Sequence, residues 1–337
     1  MVTKFGMIAA SNIAAEALLE PAGRRDDVQV IRVAAVRPGA ADAFAGLWEI
    51  PRASGDYEDI LADADIDAVY VSNAASDHAR WTIAALEAGK HVLCEKPIAV
   101  SAEEARAIKA AAAVAGRVVM EGFHYRFHPF FGLLEQLVAS GRFGNLRSIR
   151  SVINGTRAYH PASILHVAEL GGGALLHNGV YGAHWTRLLF DAEPIGVRAK
   201  QRLNPSGADS ETSAELNFPD GRAATIQCSF DRDDPVSLAL SFEEAEVVAT
   251  GPIGPHHGHS FRIRPTVGPT EVGTVAGRTS FDYQLEEFVR RTGDITRSSG
   301  RGDDVVANLS VVEAVRRSAH SGHLERVGER PADSHNH

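Results

Sequence analysis

Over the first 120 residues, short apolar runs alternate with helical periodicities. FGMIAA, VIRVAAV, AVYVSN, HVLCE and RVVMEG are rich in Val and Ile and end in turn residues, which predicts strands. Between them, residues 12–19, 40–47, 77–88 and 101–115 carry apolar positions at helical spacing. Ser101 followed by Glu104 is a capping box that marks the start of the last of these. Gly89 and Gly116 come just after helical runs, where a left-handed residue ends a helix. Strict alternation of strand and helix predicts an α/β unit over residues 1–121, a doubly wound parallel sheet with helices on both faces.

The rhythm then changes. HPFFGLLEQLVAS and GGGALLHNGVYGAHWTRLLF read as helices, with LRSIRSVING a strand between them. Residues 196–275 carry several strands separated by turns, of which PDG is the clearest hairpin signal. Strands in succession without helices predict a largely antiparallel sheet. DYQLEEFVRR and DDVVANLSVVEAVRRSA are amphipathic helices with basic last turns. A second, α+β domain is therefore expected over residues 122–329. Residues 330–337 are polar and expected to form a mobile tail.

Composition narrows the classes. The 337 residues suggest two domains, and 44% hydrophobic with 23% charged residues is ordinary for a globular chain. A net charge of −9 argues against a non-specific nucleic-acid partner, and no apolar run is long enough to span a membrane. The N-terminal residues run straight into a strand pattern without a secretory layout, and there are only two cysteines, Cys94 and Cys228. Both points predict a cytoplasmic protein.

The first strand–helix turn, AASNIA, raises the question of chemistry. In a dinucleotide-binding turn the first glycine makes the bend, the second lets a pyrophosphate approach, and the third position is small. Here those places are Ala9, Ser11 and Ala14. The last is intact and the first two have gained side chains. A helix N-terminus remains, with Ser11 or Asn12 able to cap it or bind a phosphate oxygen. A plain strand–helix turn satisfies the same residues. After the second strand stands Arg37, with no acid there. That favours NADP over NAD if a dinucleotide binds, and a solvated surface arginine is the other reading.

GKHVLCEKPIAVSAEEA, MEGFHYRFHPFF and ELGGGALLHNGVYG resemble the glucose–fructose oxidoreductase / inositol dehydrogenase (Gfo/Idh/MocA) family. The resemblance spans nearly the whole chain and is greatest to NADP-linked dihydrodiol and xylose dehydrogenases. It implies a Rossmann domain, a C-terminal α+β domain, and homodimers or homotetramers through the C-terminal sheet. It also implies hydride transfer between NADP (NAD being possible) and a sugar, cyclitol or dihydrodiol-like alcohol.

Oxidising a secondary alcohol needs a hydride acceptor and a group that removes the hydroxyl proton. Lys96 lies at a strand's C-terminal end, before Pro97, so its backbone is extended and its side chain faces the ligand crevice. Burial would lower its pKa. Glu95 either orients it or touches cofactor. The resemblance implies that Tyr181 handles the proton, with Lys96 lowering its phenol pKa, and puts His177 where the family has an aspartate. That change is expected to depress Lys96 further and to leave His177 as acceptor or proton shuttle. Lys96, Tyr181 and His177 are the expected catalytic residues.

Ala9, Ser11, Asn12, Ile13, Arg37, Asn73, His78, Glu95 and Lys96 are the expected cofactor contacts, although His78 equally suits a helix start. Asn178, Tyr125 and Arg126 are the expected substrate contacts, the last two being equally suited to anchoring the interdomain joint. His184 shares the helix face of His177 and Tyr181, and His166 and Glu169 are candidates for the pocket rim. GPHHGHS, with His256, His257 and His259, reads as a loop, and no metal is expected. Two rival readings use the same fold: a non-catalytic ligand-sensing protein, and an elimination enzyme that recycles its cofactor.

Overall fold

A computed structural model describes residues 2–294 and 300–328. The predicted tail at 330–337 lies outside the described residues. Strands β1 (Thr3–Ile8), β2 (Val28–Ala34), β3 (Arg52–Ser54), β4 (Ala68–Val71), β5 (His91–Cys94) and β6 (Val119–Glu121) form an all-parallel sheet. Their order is β3-β2-β1-β4-β5-β6, the doubly wound arrangement. The period-2 pattern assigns its two faces. Phe5, Met7, Tyr70, Leu93 and Met120 share one core, and Ile8, Val69, Val71, Val92 and Cys94 share the other. Gly6 is glycine because a side chain there would run into Ile60 and Ile66.

The helices of this half are α1 (Glu20–Gly23), α2 (Ala40–Trp48), α3 (Glu58–Ala62), α4 (Ala75–Glu87) and α5 (Ala102–Ala115). β3 and α3 were not legible in the sequence: RAS holds no Val or Ile run, and five residues are too few to show a helical period. The helix expected to end at Leu19 continues to Gly23 through a π-helical turn, Ala15–Leu19. The wider turn accommodates Pro21, which lacks an N–H for an ordinary helical bond. The Ser101 hydroxyl accepts from the Glu104 amide as expected, but the Glu104 carboxylate reaches back to the Val100 amide instead of Ser101.

The second half contains α6 (Pro129–Ala139), α7 (Val180–Phe190), α8 (Ser280–Gly293) and α9 (Val305–Ser321). Its sheet has nine strands: β7 (Leu146–Asn154), β8 (Gly196–Leu203), β9 (Asp209–Asn217), β10 (Ala223–Ser229), β11 (Ser237–Phe242), β12 (Ala245–Thr250), β13 (Ser260–Pro265), β14 (Glu271–Gly273) and β15 (Glu325–Arg326). Pairing is antiparallel except between β7 and β10. α7 lies so close to this sheet that a side chain at Gly179 or Gly182 would strike Cys228, Ser151 or Ile226. Cys94 and Cys228 are both buried and unpaired. No helix among the described residues is long and apolar enough to cross a membrane.

α8 crosses back and covers the first sheet: Phe281, Leu285 and Phe288 complete the core of Phe5, Met7 and Leu18. The Phe5 and Phe288 rings lie 5.5 Å apart. Asp282 caps α8 with Thr279 and also pairs with Arg24 at 2.8 Å. Residues from the end of the chain are thus structural members of the first unit.

Phe288→Ala is expected to lower the unfolding free energy by about 3–5 kcal/mol, the usual cost of emptying a buried aromatic site. Denaturant titration of the purified protein measures this. A loss below about 1 kcal/mol would mean that α8 does not hold the first sheet.

Candidate active site

Strands of a parallel sheet all end on one edge, so the loops after β1, β4 and β5 converge there. They form one wall of a cleft of about 710 Å³, and residues around α7 and the loop at 253–257 form the other. Of the residues singled out in the sequence, Ser11, Asn12, Ile13, Asn73, His78, Glu95, Lys96, His177, Asn178 and Tyr181 all line it.

The turn after β1 keeps the required backbone without its glycine. Ala9 sits at φ 80°, the left-handed region that a side chain disfavours. Its amide bonds to Ala34 O, which holds the bend against β2. The Ser11 hydroxyl donates to Ser72 Oγ at the end of β4, 2.7 Å away, so the added side chain is engaged with protein. In the first turn that follows, the Ala14 amide bonds back to the Ser11 carbonyl at 3.2 Å. Both amide atoms of Asn73 are buried in the cleft wall without a protein partner. The left-handed bend at Ala9 and the orphaned carboxamide of Asn73 together fit a dinucleotide.

Lys96 comes from the end of β5, in a cis peptide with Pro97. Its Nζ donates to the His177 carbonyl at 2.9 Å and lies 5.2 Å from the centre of the Tyr181 ring. Burial lowers its pKa, the Glu95 and Glu121 carboxylates oppose that, and Arg157 adds to it. Glu95 is buried and accepts from Tyr70 OH at 2.8 Å; its own pKa is raised by burial. Glu121, bonded to the Ile98 amide, is pushed up to about 7 by burial.

His177 and Tyr181 are carried by a second π-helical turn, Leu175–Gly179, and by α7. The glycine run before it permits a tight entry: a side chain at Gly173, where φ is 120°, would overlap the Asp209 carboxylate. That carboxylate caps the Leu175 amide at 2.8 Å.

Two electrostatic expectations are corrected. The Tyr181 pKa is pushed well above the usual phenol value, by burial and by Glu95 and Glu121, so Lys96 does not make it acidic. His177 is held neutral, with a pKa of about 3, by burial and by Lys96, His78 and Arg157. A neutral ring places no charge on Lys96; burial is what lowers the lysine. The His177 Nε2 is buried without a partner.

Other residues fall elsewhere. Tyr125 and Arg126, expected either to touch substrate or to anchor the interdomain joint, are not among the residues that line the cleft. Tyr125 is fully buried and bonds to His184 Nδ1, while Arg126 pairs with Asp303. Both brace the joint between the halves. His184 is buried beneath Phe123, and His166 packs with Tyr159 and Phe230 away from the rim, where Glu169 is also absent. Arg37 stands exposed past the end of β2, outside the cleft lining. His78 lines the cleft but spans the Pro97 and Asn73 carbonyls at 2.7 and 3.1 Å, so it also staples the β4 and β5 loops together.

Sequence reasoning missed Arg157, which stands in a polar stretch without periodicity, and it quoted the segment holding Glu121 and His124 without singling either residue out. It also missed that Glu16 receives both His256 and His257, each at 2.7 Å. These three groups stand close enough to hold a metal ion, with the carboxylate coming from far away in sequence.

Residues 3–123 match the model of an oxidoreductase family with an NAD-binding Rossmann fold, and residues 131–250 match the GFO/IDH/MocA C-terminal domain. An uncharacterised oxidoreductase of Rhizobium meliloti is 32% identical over 97% of this chain and 99% of its own length. D-xylose 1-dehydrogenase (NADP(+)) 2 of Haloferax volcanii is 28% identical over 94% and 98%. Trans-1,2-dihydrobenzene-1,2-diol dehydrogenase of Oryctolagus cuniculus is 32% identical over 78% and 76%. The crystal structure of aldose-aldose oxidoreductase from Caulobacter crescentus superposes with a TM-score of 0.87 at 25% identity, covering 97% of this chain and 100% of that one. With the doubly wound sheet, the dinucleotide turn and the Glu95-Lys96-Pro97 corner in place, the chain belongs to the GFO/IDH/MocA family of oxidoreductases.

Proposed function

We propose that this protein is an NADP-linked dehydrogenase acting on a secondary hydroxyl of a small sugar, cyclitol or cyclic diol. The observation that carries the reading is the convergence of the Lys96 amine and Tyr181 on one cleft beside the β1 turn. Arg37 past β2, with no acid in its place, favours NADP over NAD, as does the cofactor named for the Haloferax relative. NADP+, when bound, supplies the hydride acceptor.

The chain's own residues divide the proton work according to their pKa directions. Lys96, lowered by burial, has the larger amine fraction and accepts the hydroxyl proton. Its bond to the His177 carbonyl keeps the nitrogen in place without using its lone pair. Tyr181, raised by burial, keeps its own proton and donates a hydrogen bond to the reacting oxygen. In the reverse direction the Lys96 ammonium returns the proton. His177, neutral, acts as a hydrogen-bonding wall for the substrate.

The exposed face of the nine-stranded sheet, with Arg198, Lys200 and Glu215, is the surface we assign to a homodimer or homotetramer. Two free thiols suit a reducing, cytoplasmic setting.

Lys96→Met is expected to cut kcat by about 10²–10⁴-fold while NADPH still quenches tryptophan fluorescence saturably. If neither NADPH nor NADH binds at millimolar concentration, the dehydrogenase reading fails and a ligand sensor takes its place.

The pH profile assigns the base. Oxidation, followed as kcat/KM, should rise with pH as Lys96 loses its proton and level off below the ordinary lysine range. Tyr181→Phe should lower the whole curve by about 10²–10⁴-fold and keep the limb. Disappearance of the limb in that variant would make Tyr181 the base.

A further inference from the structure

We infer that the substrate is acidic: a polyhydroxy compound bearing a carboxylate, such as a uronate or aldonate, held by Arg157. The inference rests on the dehydrogenase reading above and names the substrate class of that same site.

Arg157 follows β7 and lines the cleft with an exposed guanidinium. Its backbone amide is fixed on Phe230 O, but among the described residues its side chain has no hydrogen-bonding or ionic partner. Its charge reaches both Lys96 and His177, so it stands at the reacting end of the cleft. The acids there are already engaged. Glu95 belongs to Tyr70, and Glu16 to His256 and His257.

Beyond residue 121, no described residue contributes a carboxylate to the cleft; that stretch contributes Arg157, Ser163, His177, Asn178 and Tyr181 among its polar groups. A neutral polyol is best gripped by carboxylates that accept from paired hydroxyls. This wall instead presents a planar double donor, which matches a carboxylate in bidentate fashion. A neutral His177 with an unpartnered Nε2 adds a hydrogen-bonding site and no repelling charge. One arginine matches a monoanion better than a phosphate dianion, which would call for further cations.

The test pairs a hexose with its uronate, identical at every ring hydroxyl, and adds the hexose 6-phosphate. NADP+ reduction by the purified full-length protein should give the uronate the highest kcat/KM, by about 10-fold or more over the hexose, mostly through KM. Added salt should erode that advantage. Arg157→Met should cut the uronate-to-hexose ratio by about 10–100-fold, and Arg157→Lys should restore part of it. Calorimetric titration of uronate into the NADP+-saturated protein gives a readout without turnover, and the Arg157→Met variant should lose that binding.

Equal or better use of the hexose, or an unchanged ratio in Arg157→Met, would overturn the inference and leave the dehydrogenase standing. A preference for the 6-phosphate would overturn the carboxylate assignment. If NADPH fails to bind at all, it is the dehydrogenase reading that falls. If NADPH binds and no substrate turns over, the calorimetry decides: uronate binding lost in Arg157→Met supports the inference, and no binding refutes it.

Discussion

The bond from the Lys96 amine to the His177 carbonyl is the constraint around which the site is arranged. An amine at the end of a buried parallel strand is costly to keep as a cation, and three features answer that cost. Glu95 and Glu121 lie near enough to favour the charge, the carbonyl accepts one hydrogen bond, and the cleft leaves the nitrogen open on one side. The same bond links the end of β5 to the π-helical turn before α7. Sheet and helix thereby share a reference point, and the phenol of Tyr181 is carried to the amine by the turn that provides the acceptor.

That arrangement depends on packing some distance away. Asp209, on β9, caps the turn through the Leu175 amide, and the glycine run gives its carboxylate room. The near-contact of Gly179 and Gly182 with β7 and β10 sets the depth of α7. On the other side, Tyr70 fixes Glu95 and His78 joins the β4 and β5 loops. α8 stiffens the first sheet from behind by returning Phe288 to Phe5. The edge that carries the cleft is therefore held by both halves of the chain, and α8 makes their boundary a packing interface more than a linker.

The β1 turn shows how a motif can lose its letters and keep its shape. Ala9 occupies the left-handed conformation that a glycine would take at no cost, and Ser11 is drawn off to Ser72. The bend is dictated by where β1 ends and the following helix begins, and the hydrogen bond from Ala9 to Ala34 holds it there. The strain of one alanine, on the order of 1–2 kcal/mol, is small beside the sheet that imposes it.

Much was legible from residue pattern alone. The period-2 runs, the capping residue Ser101 and the left-handed Gly89 and Gly116 are local properties, set by side-chain alternation and backbone sterics, and they specify the alternating fold. Lys96 before Pro97 at a strand end is local too, so its place in the crevice followed from the chain. Charge and partnership were not local. The pKa direction of Tyr181, the neutrality of His177, the burial of Tyr125 against His184 and the meeting of Glu16 with His256 depend on groups many residues apart. The sequence alone determined most of the elements and the edge they open toward. Only the tertiary structure decided what each side chain there can do, because desolvation and Coulomb interactions depend on distance in space, and the chain brings remote residues together only on folding.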